Sequence, residues 1–228
     1  MTVAVAEALL DARDWKIEDE EDAVKEHLVR SMKKWGDREP YAGYGGRFSV
    51  WLESDSTSPY GSYGNGSAMR VSSAGWLYHD MFTTWRMARW TAEVTHNHPE
   101  GVKGAEATAA AIFMARTGSS KDDIRDYIVR EFSYDLSRTC DEIRPEYYHI
   151  ENCQKTVPEA VTAFSEGKDY EDVIRTAVSL GGDADTLACI AGSIAEAYYD
   201  IPEDMKEECR KRLSEDMLDV IQRFNEAL

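Results

Sequence analysis

The sequence predicts an all-α protein built as one domain over residues 1–228, on three observations. Apolar residues recur at spacings of three and four along most of the chain, the signature of helices with one buried face. No alternating apolar–polar run reaches a useful strand length. There is no internal repeat and no long linker, and 228 residues at 43% hydrophobic are enough to bury a sizeable core in one domain.

Taken in order, Met1 to Ala12 reads as helix from its first residue, with Val3, Val5, Ala6, Leu9 and Leu10 as the apolar face. No turn or convincing cap precedes it, although a helix needs partners for its first N–H groups. Asp19 to Trp35 is a second amphipathic helix, with Val24, Leu28, Met32 and Trp35 inward and His27 packed beside them. Gly36 to Gly46 is a turn-rich connection and Arg47 to Leu52 a short helix. After a glycine-rich loop, Ser67 to Trp76 reads as one helix and Phe82 to Val94 as another. Pro99 marks a helix start capped by Asn97 or His98, leading into the Ala-rich helix Gly104 to Arg116. Ser120 and Asp123 form a capping box for a helix ending at Phe132. Leu136 to Gln154 is mixed. Pro158 to Phe164 and Tyr170 to Leu180 are short helices. A long buried helix then carries Leu187, Ile190, Ala191, Ile194, Ala195 and Tyr198, and Pro202 to Leu228 closes the chain as a single helix.

Composition removes several function classes. The formal net charge is −17 with no basic stripe, which disfavours binding to nucleic acid or anionic lipid. No apolar run approaches a membrane span, and no signal peptide is visible. The cysteines, Cys140, Cys153, Cys189 and Cys209, lack zinc-type spacing; Cys189 and Cys209 fall on apolar helix faces, and reduced thiols in a cytoplasmic protein are expected. The oligomeric state is not legible.

Two stretches carry chemistry. Gly181 and Gly182 interrupt the chain, and Asp183, Asp185 and Thr186 follow where the long helix begins. A helix N-terminus favours carboxylates. Two carboxylates and a hydroxyl are also hard oxygen donors of the kind Mg²⁺ or Ca²⁺ takes. One cap needs only one Asp, so capping and metal binding are both open. The other stretch is Gly61, Ser62, Tyr63, Gly64, Asn65 and Gly66, directly before a helix. Glycines let backbone N–H groups approach an anion, and the helix end adds a favourable dipole. A plain surface turn is the competing reading. Tyr60 and Tyr63 add rings on which a base can stack. His96 and His98 have no third ligand of zinc type nearby, so hydrogen bonding to a ligand or to the backbone is the expectation.

Together GSYGNGSAMR, THNHPEG and LGGDADTLACIAGSIAEAYY resemble the ADP-ribosylglycohydrolase family, including its dinitrogenase-reductase-activating type, over nearly the whole chain and in the family's order. The resemblance implies an all-α orthogonal helical bundle and a Mg²⁺-dependent hydrolase acting on ADP-ribosylated protein side chains, arginine foremost, or on related ADP-ribosyl conjugates. By position it implies Asp183, Asp185 and Thr186 as metal ligands, with Asp183 and Asp185 catalytic. It implies the loop from Gly61 to Gly66 as the holder of the diphosphate and ribose, and His96 as a contact to ADP-ribose. Met69 and Arg70 share the motif without an assigned role. The family pattern also has G-D-x-x-G and T-D-D-T motifs ahead of a helix like Thr2 to Ala12. The expectation is therefore an N-terminally incomplete ligand set, holding one Mg²⁺, or Mn²⁺, where the family holds two. The alternative is a catalytically impaired ADP-ribose-binding protein or a structural, crystallin-like relative.

Overall fold

Residues 1–228 are described by the structure, a computed structural model, and they form fourteen helices and no strand. α1 (Thr2–Asp14) pairs with α2 (Glu21–Arg38). α3 (Gly46–Glu53) packs on α2, and the short α4 (Gly66–Met69) and α5 (Ser72–Leu77) lie against α7 (Pro99–Arg116), as does α6 (Met81–Glu93). α8 (Lys121–Phe132) and α9 (Cys140–Ile143) lead to α10 (Cys153–Glu166), α11 (Tyr170–Ser179) and α12 (Ala184–Glu196), which pack on one another. α13 (Glu203–Arg210) and α14 (Glu215–Ala227) end the chain, and α14 returns to α1. No helix is long and apolar enough to cross a membrane.

Two apolar cores flank α7. One gathers Ile124, Ile128, Phe164, Leu187, Ile190 and Ile194 with Ala107, Ala111 and Ile112 of α7. The other gathers Leu9, Leu28, Met32, Trp35 and Met87 with Val102, Ala105 and Ala109 of the same helix. Small residues let neighbours approach α7 closely: a Cβ on Gly104 would lie 2.4 Å from Cys153 Sγ. α1 carries one acidic side chain into its core. Glu7 accepts from Lys34 Nζ at 2.6 and 2.7 Å, from Trp35 Nε1 at 3.0 Å and from Ser31 Oγ at 3.2 Å, so the buried carboxylate is fully partnered.

Several boundaries differ from the sequence expectation. α2 runs through Gly36 to Arg38, because Gly36 packs against Leu52, whose Cδ2 would sit 2.9 Å from a Cβ there. Ser67 to Trp76 is two helices. The break falls at Arg70 and Val71, where the chain turns to bury the Arg70 guanidinium on Thr91 O. α10 starts at Cys153 under an Asn152 cap, and Pro158 lies inside it rather than at its start. Leu136 to Gln154 contains α9, opened by a Thr139–Glu142 capping box. Pro202 to Leu228 is divided because Ser214 caps a new helix on Met217 N. α12 stops at Glu196, which leaves Tyr198 beyond it and partly exposed. Cys209 is exposed rather than on an apolar face, and Cys189 is half-buried; all four thiols are free. The Ser120–Asp123 capping box and the Phe132 end of α8 stand as expected, and of the two candidate caps for α7 it is His98 that accepts from Glu100 N.

Candidate functional site

The glycine-rich loop is held between two other segments, turning at the left-handed Gly61 and entering α4 at Gly66. Tyr60 N and Ser62 N donate to Thr95 O, at 3.3 and 3.4 Å, on one side. On the other, Gly64 bridges to Asn152, Asn65 N donates to Glu151 O at 2.9 Å, and Cys153 N donates to Tyr63 O at 3.1 Å. Ser62, Gly64 and Gly66, with Asn65 at the turn into α4, line a cleft of about 690 Å³. Gly61 and Tyr63 do not line it. Gly61 donates its N–H to Asn97 Oδ1 at 2.8 Å, and the Tyr63 ring lies 5.2 Å from that of His98. Tyr60 does line it, beneath the Arg47 guanidinium at 4.9 Å.

Asp183, Asp185 and Thr186 line the same cleft from a second wall. Asp183 occupies the N-cap position of α12, yet its side chain makes no capping bond. It turns instead to Asn65, whose Nδ2 donates to Asp183 Oδ2 at 2.7 Å, with Thr156 Oγ1 at 3.2 Å as a further neighbour. The capping reading of Asp183 thus gives way to a side-chain bond that joins loop and acidic cluster across 118 positions of sequence. Burial raises the Asp183 pKa above the usual carboxylate value. Asn65 opposes this, the Asp185 carboxyl beside it adds to the rise, and Thr186 again opposes it. The two carboxyls crowd each other. Asp185 lies in the first turn of α12, and Thr186 Oγ1 donates to Met69 Sδ at 3.4 Å.

The two left-handed glycines ahead of Asp183 set its approach. Gly182 has φ +60°, and a Cβ there would meet Tyr148 O at 2.5 Å, so the Tyr148 backbone rests directly on this turn. His96 is 5% exposed and forms part of the cleft wall. Its Nδ1 lies 2.7 Å from Thr95 Oγ1, and its Nε2 faces the loop, where a Cβ on Gly66 would be 3.3 Å away and one on Gly64 3.5 Å. Burial, with the Arg70 and Arg47 cations, pushes the imidazole down to about 2, so the ring is neutral.

The remaining wall was not legible as a site. Residues 42–48, a connection and a helix start by their sequence, bring Tyr44, Arg47 and Phe48 to the cleft, which Arg70 and Glu151 also line. A hint was present in YAGYGGR, which repeats the tyrosine–glycine character of the second loop. In sum of chemistry, the cleft offers glycine backbone suited to an anion, a neutral imidazole and two crowded carboxyls with a hydroxyl. No group of three or more His, Cys, Asp or Glu side chains is arranged to hold a metal ion.

A family model described as ADP-ribosylglycohydrolase matches residues 1–228. The chain is 28% identical over 209 residues to ADP-ribosylhydrolase ARH3 of Homo sapiens, covering 69% of this chain and 57% of that protein. It is 28% identical to ADP-ribosylarginine hydrolase Tri1 of Pseudomonas putida, covering 60% and 39%. It is 33% identical to an uncharacterized protein of Archaeoglobus fulgidus, covering 64% and 53%. The chain thus spans about half the length of the curated relatives it matches. Among solved structures, an ADP-ribosylglycohydrolase-related protein complex superposes with a TM-score of 0.69 at 21% identity, over 98% of this chain and 79% of that one, a likeness of fold.

Proposed function

The chain belongs to the ADP-ribosylglycohydrolase family, and on that premise we propose that residues 1–228 act as one domain that binds ADP-ribose in the cleft and hydrolyses ADP-ribosyl conjugates, with arginine as the foremost acceptor. The observation that carries this reading is the Asn65–Asp183 bond of 2.7 Å, which brings the glycine loop and the acidic pair into one cleft. A diphosphate suits the start of α4 at Gly66, beside the His96 ring, while the Gly64 N–H is held by Ser62 Oγ at 3.1 Å. His96, neutral and partly walled by the loop, is a hydrogen-bonding partner for the same ligand. Tyr60 and Phe48 give flat apolar surface for a base. An ADP-ribosylated side chain would extend past Asp183 and Asp185, so that its ribose lies beside the carboxyls. The arginine acceptor is supported by one relative, the ADP-ribosylarginine hydrolase Tri1.

The oxygens of Asp183, Asp185 and Thr186 fit a hard divalent cation such as Mg²⁺ or Mn²⁺ in kind, and a cation there would offset both the burial of Asp183 and the Asp185 carboxyl beside it. When bound, such an ion supplies charge stabilisation and a more acidic water as the N-glycosidic bond breaks. The three residues fall short of the roughly six oxygens Mg²⁺ takes, so one ion with water in its shell is the expected stoichiometry. The same shortfall favours a second reading: an ADP-ribose-binding or structural protein with little or no turnover. Four free thiols support a cytoplasmic setting, and the net charge of −17 supports partners other than nucleic acid or membrane.

The deciding experiment follows ADP-ribose release from ADP-ribosyl-arginine and ADP-ribosyl-serine peptides with Mg²⁺ or Mn²⁺, beside calorimetry with free ADP-ribose. Release that is lost in Asp185→Asn supports the hydrolase. Binding without release supports the second reading. Neither binding nor release at millimolar ligand rejects both.

A further inference from the structure

We propose that Arg70 is a positioning residue: acting through Thr95, it fixes His96 in the tautomer that carries its proton on Nε2, so that the cleft meets its ligand with a hydrogen-bond donor at that point. The inference deepens the ADP-ribose reading of the same cleft and rests on that reading for the identity of the ligand alone.

Arg70, Thr95 and His96 form a chain of hydrogen bonds among three buried groups. Arg70 is 3% exposed, and its Nη2 donates to Thr91 O at 2.9 Å and to Thr95 Oγ1 at 2.8 Å. A guanidinium has donors only, so Thr95 Oγ1 accepts from it. Thr95 is itself fully buried, and a buried hydroxyl proton left without an acceptor is strongly disfavoured. Its one other partner is His96 Nδ1 at 2.7 Å. The hydroxyl must therefore donate to Nδ1. A neutral imidazole whose Nδ1 accepts carries its proton on Nε2. That Nε2 faces Gly64 and Gly66 and donates to no protein group.

Two further facts bear on why an arginine stands here. Arg70 pairs with no carboxylate, its Nε has no partner, and the Phe48 ring lies 5.7 Å from the guanidinium carbon. A buried cation without a counter-ion is unfavourable unless something else requires it. Its charge also disfavours a second proton on His96. The consequence is a fixed N–H at the floor of the glycine loop. A phosphate oxygen only accepts, so this donor suits it, whereas the opposite tautomer would present a lone pair and repel it.

Long-range proton–nitrogen NMR spectra of the ligand-free protein labelled at histidine, with His96 assigned through His96→Gln, read the tautomer directly. Wild type and Thr95→Ser are expected to show protonated Nε2 and bare Nδ1 at His96. Thr95→Val and Arg70→Met are expected to lose that single-tautomer signature, while circular dichroism shows them folded, and to bind ADP-ribose up to about tenfold more weakly, the loss of one hydrogen bond. A wild-type His96 protonated on Nδ1, or on both nitrogens at pH 7, overturns the proposal. An unchanged tautomer in folded Thr95→Val overturns it too. If the expected tautomer pattern is found but wild type binds no ADP-ribose at millimolar concentration, the role of Arg70 stands and the ADP-ribose reading fails.

Discussion

At Asp183 a carboxyl is pulled two ways. Burial and the Asp185 carboxyl favour its protonated form, while the Asn65 amide favours the ionised one, and the net pKa is raised above the usual carboxylate value. A raised folded-state pKa makes the folded protein hold its proton more tightly than the unfolded chain. The contribution to stability is therefore present at low pH and lost as pH rises through the folded value. Asp185→Asn is thus expected to make the metal-free protein more stable at pH 7, as read by urea unfolding. With millimolar Mg²⁺ the order should reverse, because the wild type gains a ligand that the variant cannot hold; the same order with and without the ion would remove the cation site. Gly182 carries a different constraint. With φ +60° and a Cβ position 2.5 Å from Tyr148 O, Gly182→Ala is strained and forces backbone apart, for an expected loss of about 1–3 kcal/mol in the same unfolding experiment. An unchanged midpoint would show that the turn relaxes freely. The D-x-D-T cluster and the glycine loop were legible because each lies within six consecutive residues. The bond from Asn65 to Asp183 was not, since nothing in local spacing encodes a partner 118 positions away. Nor did composition reveal that Gly61 and Tyr63 would be engaged outside the cleft, by Asn97 and His98.

Among the elements, α1 and α2 are joined by the buried Glu7. Burial pushes its pKa up, but hydrogen bonds from Lys34 and Trp35, the Lys34 charge and Ser31 outweigh this, and the net shift is downward from 4.5. A depressed folded-state pKa gives stability that is present above the unfolded value and lost as pH falls through the folded one. Acid should therefore weaken the α1–α2 pairing below about pH 4.5. Glu7→Gln is expected to lose on the order of 1–3 kcal/mol at neutral pH and to show a flatter acid unfolding profile. Equal stability of variant and wild type at pH 7 and at pH 4 would count against the pairing. Helix existence was read well from periodicity, and the ends less so. The Ser120–Asp123 box was visible as a motif, whereas the Ser214 cap that divides the C-terminal segment was hidden by an unbroken apolar spacing. Pro158 suggested a helix start by its chemistry, yet the Asn152 cap placed the start one turn earlier.

On the scale of the whole molecule, the cleft draws its walls from segments far apart in the chain: residues 42–48, the loop before α4, the turn into α7 and the start of α12. A ligand seated there contacts all of them at once and so stabilises the assembled fold against the unfolded chain. At a hundred times its dissociation constant, ADP-ribose should add about 2.7 kcal/mol. Differential scanning calorimetry is expected to show a single transition that moves up as a unit; a ligand-induced split into two transitions would mean that the cleft is formed by one half alone. The single transition follows from α7, which supplies residues to both apolar cores. A helix shared in this way is not released when either half loosens by itself. Its backbone amides, from Ala105 to Ile112, should exchange with deuterium only through opening of the entire protein. They would therefore be the slowest in the molecule, and their common rate would serve as a direct gauge of its total stability.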